Sequence, residues 1–246
     1  MTYELDQGAG AGLRLGLILL STDETLEYVA RQVLAGREVN LLHTRIPARA
    51  DVTPEDLATM AGEMTATAAL LPQGLDGVAY ACTSGATIIG PERVEALVQM
   101  AHPGVPVTNP LSSVVAALGE LGMSRIAMVT PYVEEVTGPM REALAAHGVE
   151  TVSEFSFGQK EDRTVARITE ASTRRAIVEA ARKPGVEAVF TSCTNLRTFG
   201  ILDAAEAELG IPVISSNSAL MWRLLTLAGQ PAVGWGPGRL FGREAA

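Results

Sequence analysis

The chain has 246 residues, a formal net charge of −9 and an apolar content of 47%, which suits one large domain or two small ones with ample core and excludes low-complexity disorder. Its lysines and arginines are scattered rather than gathered on one surface, which argues against a nucleic-acid partner, and no run approaches the roughly 20 apolar residues of a membrane span. The stretch from Met1 to Gly12 is polar and Gly-rich, without the basic start and apolar centre of a signal peptide; the expected location is the cytoplasm, where cysteines stay thiols rather than forming a disulfide.

Residues 1–13 read as a mobile leader. Leu15 to Leu20 is a continuous apolar run, as in a parallel strand covered on both faces. It ends in Ser21-Thr22-Asp23-Glu24-Thr25, capping residues ahead of a helical pattern at Leu26, Val29, Ala30 and Val33. Val39 to Thr44 is the second strand, and Thr53-Pro54-Glu55-Asp56 opens a helix with Thr as N-cap, Pro in the first turn and acids at the positive end of the dipole. Gly77 to Ala81 is the third strand, with Cys82 at its tip. A helix from Gly90-Pro91-Glu92 to Met100 follows, then a short strand at Val105-Pro106-Val107 and a helix from Leu111 to Leu121.

The pattern then restarts. Arg125 to Thr130 is a strand ending in Pro131-Tyr132; after it come a helix (133–147), a strand (149–155), one long helix from Thr164 to Arg182, and a strand (186–191) that carries Cys193 just beyond its end. A helix (198–209), a strand (211–214), a helix (217–227) and an irregular Gly-rich tail near a subunit contact complete the chain. Cys82 and Cys193 are 193 − 82 = 111 residues apart, and the strand positions Leu15 and Ile126 are also 126 − 15 = 111 apart. Val105-Pro106-Val107 is echoed by Ile211-Pro212-Val213. This is too long a period for a solenoid and predicts an internal duplication of one α/β unit. Parallel sheets with right-handed crossovers follow, with helices on both faces and a pocket in the cleft between the halves. The expected division is 14–110, with 217–240 packing back on it, and 111–216.

A thiol at a strand-to-helix turn meets unpaired amides and the positive end of a dipole, which favour the thiolate. Thr83, Ser84, Gly85, Thr194 and Asn195 are small polar neighbours whose amides can approach an anion. A lone cysteine at a strand end is more often an inert core residue; two at matched places of a duplicated unit point instead to a facing acid/base pair. His43, His102 and His147 have no metal-ligand spacing, so no metal site is expected. The glycines form neither a GxGxxG nor a P-loop pattern. Asp23, Tyr132 and Arg163 each fall just beyond a strand or before a helix, where a pocket would be lined.

The turns Ala81-Cys82-Thr83-Ser84-Gly85 and Ser192-Cys193-Thr194-Asn195, with Thr130-Pro131-Tyr132, resemble the aspartate/glutamate racemase superfamily, in its maleate cis-trans isomerase and arylmalonate decarboxylase branch. The resemblance covers Leu15 to about Leu240. It implies two flavodoxin-like halves related by a pseudo-twofold, a site between them, a small-carboxylate substrate, no cofactor, and a homodimer or homotetramer. It also implies that Cys82 and Cys193 are catalytic, with Tyr132 among the residues holding carboxylates. Two positions depart from the maleate isomerases: Asp23 and Arg163 stand where neutral asparagines are expected. Asp23 would repel a dicarboxylate but pair with an amine, Arg163 would clamp a carboxylate, or the two would bridge each other. The Leu-Ser-Thr-Asp-Glu-Thr and Glu-Asp-Arg-Thr-Val-Ala-Arg-Ile stretches are similar to ectoine-utilisation proteins of the same superfamily. The leading expectation is a cofactor-independent racemase or isomerase of a small carboxylate, with Thr83, Ser84, Thr194 and Asn195 also binding substrate. The alternatives are a maleate isomerase proper, an arylmalonate-type decarboxylase, or a silent carboxylate-binding protein.

Overall fold

The computed structural model describes residues 2–6, 8 and 12–242, so the expected leader lies partly outside the described residues. In chain order the elements are β1 (Leu13–Leu20), α1 (Leu26–Val33), β2 (Val39–Ile46), α2 (Pro54–Ala68), β3 (Gly77–Ala81), α3 (Thr83–Ile89), α4 (Pro91–Gln99), β4 (Val107–Thr108) and α5 (Pro110–Leu121). They continue with β5 (Arg125–Tyr132), α6 (Glu134–Ala146), β6 (Glu150–Gln159), α7 (Asp162–Val165), α8 (Glu170–Ala181), β7 (Ala188–Thr191), α9 (Leu202–Leu209), β8 (Val213–Ser215) and α10 (Ser216–Leu227).

The strands form two four-stranded parallel sheets, β2-β1-β3-β4 and β6-β5-β7-β8. The duplication extends to hydrogen-bond register: Leu15 pairs with Gly77 in the first sheet and Ile126 with Ala188 in the second, and 126 − 15 and 188 − 77 are both 111. In each sheet the strand order reverses beside the central strand, β1 or β5. The crevice outside the carboxyl ends of such strands is where open α/β sheets hold ligands. Asp23 follows β1, Cys82 follows β3, Tyr132 ends β5 and Cys193 follows β7, so the predicted residues converge on these two edges.

Continuous apolar runs form the central strands because helices cover both of their faces. Leu15, Leu17, Ile18 and Leu19 in β1, and Ile126, Ala127, Met128 and Val129 in β5, are wholly buried. Each large side chain among them contributes about 1.5–3 kcal/mol of transfer free energy. After β8 the chain crosses back, and α10 packs against β3, β4 and α5. The N-terminus of α10 is fixed by a capping box, in which the Ser215 hydroxyl accepts the Ser218 N–H at 3.0 Å and the Ser218 hydroxyl accepts the Ser215 N–H at 2.9 Å.

Two expectations are corrected. The single helix expected from Thr164 to Arg182 is two helices, because the Thr169 hydroxyl accepts the Ser172 N–H at 3.2 Å and starts α8 afresh. No helix begins directly after Cys193, where the chain makes an irregular turn before a 3₁₀ turn at Phe199–Ile201. No helix among the described residues is long and apolar enough to cross a membrane.

Candidate active site

Cys82 is the N-cap of α3, and its sulfur accepts the Gly85 N–H at 3.2 Å. The Ser84 hydroxyl lies 3.6 Å from that sulfur, and the Tyr80 hydroxyl, 3.6 Å from the Met60 sulfur, also reaches it. Gly85 permits this packing: a Cβ there would stand 2.3 Å from the Tyr80 hydroxyl and 3.0 Å from the Cys82 sulfur. Gly85→Ala is therefore expected to lower stability by about 1–3 kcal/mol through overpacking and to lower turnover by displacing the thiol. Chemical denaturation alongside rate measurement checks this, and an unchanged variant would rule it out.

Cys193 is held differently. It is the one non-glycine among the described residues with a positive φ, 99°, a conformation that costs on the order of 1–3 kcal/mol and persists only where the surroundings impose it. Tyr132 donates its hydroxyl to the Cys193 sulfur at 2.8 Å, and the Asn195 N–H donates to the same sulfur at 3.3 Å. The Cys193 N–H donates to the Ser216 hydroxyl oxygen at 3.1 Å, which also accepts the Thr83 hydroxyl at 2.8 Å. Ser216, at the start of α10, thus ties the two cysteine turns together.

The cleft is closed over both thiols, with Cys82 4% and Cys193 2% exposed. Segments from the two halves pair across it: Asp51 and Glu161 form an antiparallel bridge, the Val52 N–H donates to the Lys160 carbonyl at 2.8 Å, and the Asp162 N–H to the Ala50 carbonyl at 3.1 Å. A separate cleft of about 510 Å³, bordered by Tyr28, Glu170, Phe199 and Trp235, reaches neither sulfur.

Burial reverses the expectation that these turns hold thiolates. Desolvation pushes the Cys82 thiol up to about 11; the Ser84 hydroxyl and Gly85 N–H offset this only in part, and the Asp162 charge adds to it. Cys193 is pushed well above its ordinary range, first by burial and then by Asp162, against the opposing Tyr132 and Asn195 hydrogen bonds. Both thiols are neutral at neutral pH in the closed cleft.

Asp23 is buried. One carboxylate oxygen caps α1 by accepting the Thr25 and Leu26 N–H groups at 2.9 and 2.8 Å. Arg163 is exposed, and no ion pair joins it to Asp23. Asp162 takes the inward place expected of Arg163, because the bridge at Asp51 and Glu161 fixes the phase of the one-turn helix α7. The Asp162 side chain is buried and accepts the Thr22 hydroxyl at 2.6 Å.

Asn195 is also corrected from ligand donor to clamp. Its amide oxygen accepts the Glu24 N–H at 2.9 Å, and its amide nitrogen donates to the Thr22 and Asp162 carbonyls at 3.3 and 3.1 Å, so no donor is left for a carboxylate. Thr83, Ser84 and Thr194 are buried at the two turns, with Thr194 donating to the Ala81 carbonyl at 3.3 Å. Asp162, Ser216 and Asn217 are the site residues that sequence reasoning missed. The echo of Val105-Pro106-Val107 at Ile211-Pro212-Val213 was the available signal for Ser216, since it places Ser215-Ser216 where Asn109-Pro110 opens α5. Among the described residues no three His, Cys, Asp or Glu side chains gather as a metal centre would require.

The chain is 28% identical to the maleate isomerase of Nocardia farcinica over 95% of its own length and 97% of that protein's. It is 31% identical to the arylmalonate decarboxylase of Bordetella bronchiseptica over 56% of this chain and 58% of the relative. The fold matches a cysteine mutant of the Nocardia farcinica maleate cis-trans isomerase, solved with a covalently bound succinylcysteine intermediate, at a TM-score of 0.83 and 24% identity over 93% of this chain and 98% of the other. The model of one family, Amdase: Arylmalonate decarboxylase, matches residues 45–241, and the chain belongs to that arylmalonate decarboxylase and maleate isomerase family.

Proposed function

We propose that the protein is a cofactor-independent isomerase of a small carboxylate, with Cys82 and Cys193 as its reacting pair. The observation that carries this reading is the joining of the two thiol turns through Ser216, with Tyr132 donating onto one sulfur. The succinylcysteine in the Nocardia farcinica enzyme supports a cysteine that bonds to carbon in that relative.

In a cis-trans isomerisation, one thiolate adds to an alkene carbon to form a C–S bond, and the π pair moves to the neighbouring carbon and takes the proton of the opposite thiol. Rotation about the resulting single bond and the reverse steps restore both sulfurs. In a racemisation, one thiolate removes the proton next to the carboxylate and the other thiol returns one on the opposite face. Both need one proton shared between two sulfurs. The racemase reading, within ectoine breakdown, rests on the Asp23 and Asp162-Arg163 stretches. The decarboxylase reading is favoured by the family model and by the 31% identity to the Bordetella bronchiseptica arylmalonate decarboxylase.

Turnover in deuterium oxide over maleate, aspartate, diaminobutyrate derivatives and phenylmalonate separates these outcomes. The isomerase reading expects deuterium in the product next to the carboxylate, and the decarboxylase reading expects CO₂. Neither signal with any of these substrates would count against both.

A further inference from the structure

The closed cleft contains acid without base. No lysine or arginine among the described residues is buried, yet Asp23 and Asp162 both are. The nearby cations are engaged outside: Arg45 with Glu27 and the carbonyls of Leu20 and Asp23, Arg49 with Asp56, and Arg167 with Glu24. Asp162 has the Thr22 hydroxyl, but the second carboxylate oxygen of Asp23 has no partner. The Thr194 hydroxyl interacts with that carboxylate, but its proton is directed to the Ala81 carbonyl.

A second open acceptor belongs to a residue hydrogen-bonded to Thr194. Asn217 is wholly buried and donates its amide N–H to the Thr194 carbonyl at 2.9 Å, which fixes the amide's orientation and leaves its oxygen without a donor. Two buried acceptors therefore belong to residues that touch Thr194, next to Cys193, and both lack a hydrogen-bond donor. Such groups are costly unless something supplies the donor. Asp162 also borders a small pocket with Leu20, Arg49, Val52 and Met60.

We infer that the cleft takes a substrate carrying a cationic nitrogen, an ammonium or amidinium, beside its carboxylate, and that Asp23 and Asp162 with the Asn217 amide oxygen receive that nitrogen. This rests on the isomerase reading and narrows its substrate class away from dicarboxylates. Burial raises the pKa of both Asp23 and Asp162 above the ordinary carboxylate value, and an ammonium supplies the donors that both open acceptors lack together with a charge that favours the ionised carboxylates. A second carboxylate there would add like charge to a site that already repels it. The same cation would weaken the negative field that Asp162 exerts on both sulfurs, so binding would favour the ionised member of the pair.

NMR-monitored titration of the full-length protein with β-alanine and with succinate tests this, since the two differ only in ammonium against carboxylate on the same two-carbon spacer. β-Alanine is expected to bind at least about tenfold more tightly. Asp23→Asn and Asp162→Asn, each checked for an intact melting transition, are expected to shrink that preference, and Asp162→Glu to keep part of it. Equal or tighter binding of succinate, no detectable binding of β-alanine, or a preference unchanged in both Asn variants would overturn the inference. Because neither ligand needs to react, such a failure leaves the cysteine chemistry standing. That chemistry is judged separately by deuterium incorporation in the cysteine variants.

Discussion

Alanine at Cys82 or at Cys193 is expected to lower turnover by about 10³-fold or more, the range found when a nucleophile or a positioned proton donor is removed. The double variant should be little worse than either single one, because two sulfurs that share one proton act as a unit. Melting should change little by comparison. Each thiol fills its place with a few sulfur hydrogen bonds, Gly85 and Ser84 to Cys82 and Tyr132 and Asn195 to Cys193. Serine keeps the shape and hydrogen bonds but not the nucleophile, so Cys→Ser should fall nearly as far as Cys→Ala. Activity within threefold of the parent protein in both serine variants would remove the thiols from the mechanism and favour a binding protein that kept the cleft. Initial rates on the deuterated-solvent substrates, with melting curves on the same samples, decide between these.

The placement of the two thiols at matched strand ends was legible because its signal is local and repeated: an apolar run, a cysteine, small polar residues, and the same again 111 residues later. The parallel sheets were legible for the same reason, since β1 and β5 are each apolar over a whole strand length. What escaped was set by contacts between halves. Arg163 and Asp162 are adjacent, and nothing in their immediate sequence says which faces inward. That choice is made by main-chain pairing of residues 50–52 with 160–162. Asn195 reads as a ligand donor until Thr22, Glu24 and Asp162 are brought to it from distant parts of the chain. The backbone at Cys193 departs from its counterpart at Cys82 because Ser216, Tyr132 and Asn195 hold it there, and a duplication read from sequence predicts equivalence rather than such a difference.

Closure of the cleft has the largest consequence for reactivity, and it predicts a steep pH profile. Alkylation of the ligand-free protein by iodoacetamide is expected to be slow at pH 7 and to rise about tenfold per pH unit until Cys82 titrates, since the thiolate is the reacting form. Cys82 is held to about 11 by burial, with Asp162 adding repulsion, so its neutral form persists across pH values at which an unfolded chain has already ionised. The folded state then binds more protons than the unfolded one, and by linkage stability must fall as pH rises from the ordinary value of 9.0 towards 11. Denaturant midpoints across that interval should decline together with the rise in labelling. Asp162→Asn removes one cause of the upward shift and should move the labelling profile to lower pH. A plateau below pH 9, or labelling at pH 7 as fast as that of a free cysteine, would mean that the thiols are ionised or exposed at rest. Added ligand separates a working pair from an inert one. An ammonium-bearing carboxylate that enters beside Asp23 and Asp162 should lower the pH at which the surviving thiol of each single-cysteine variant reacts, whereas two inert core cysteines would only be shielded.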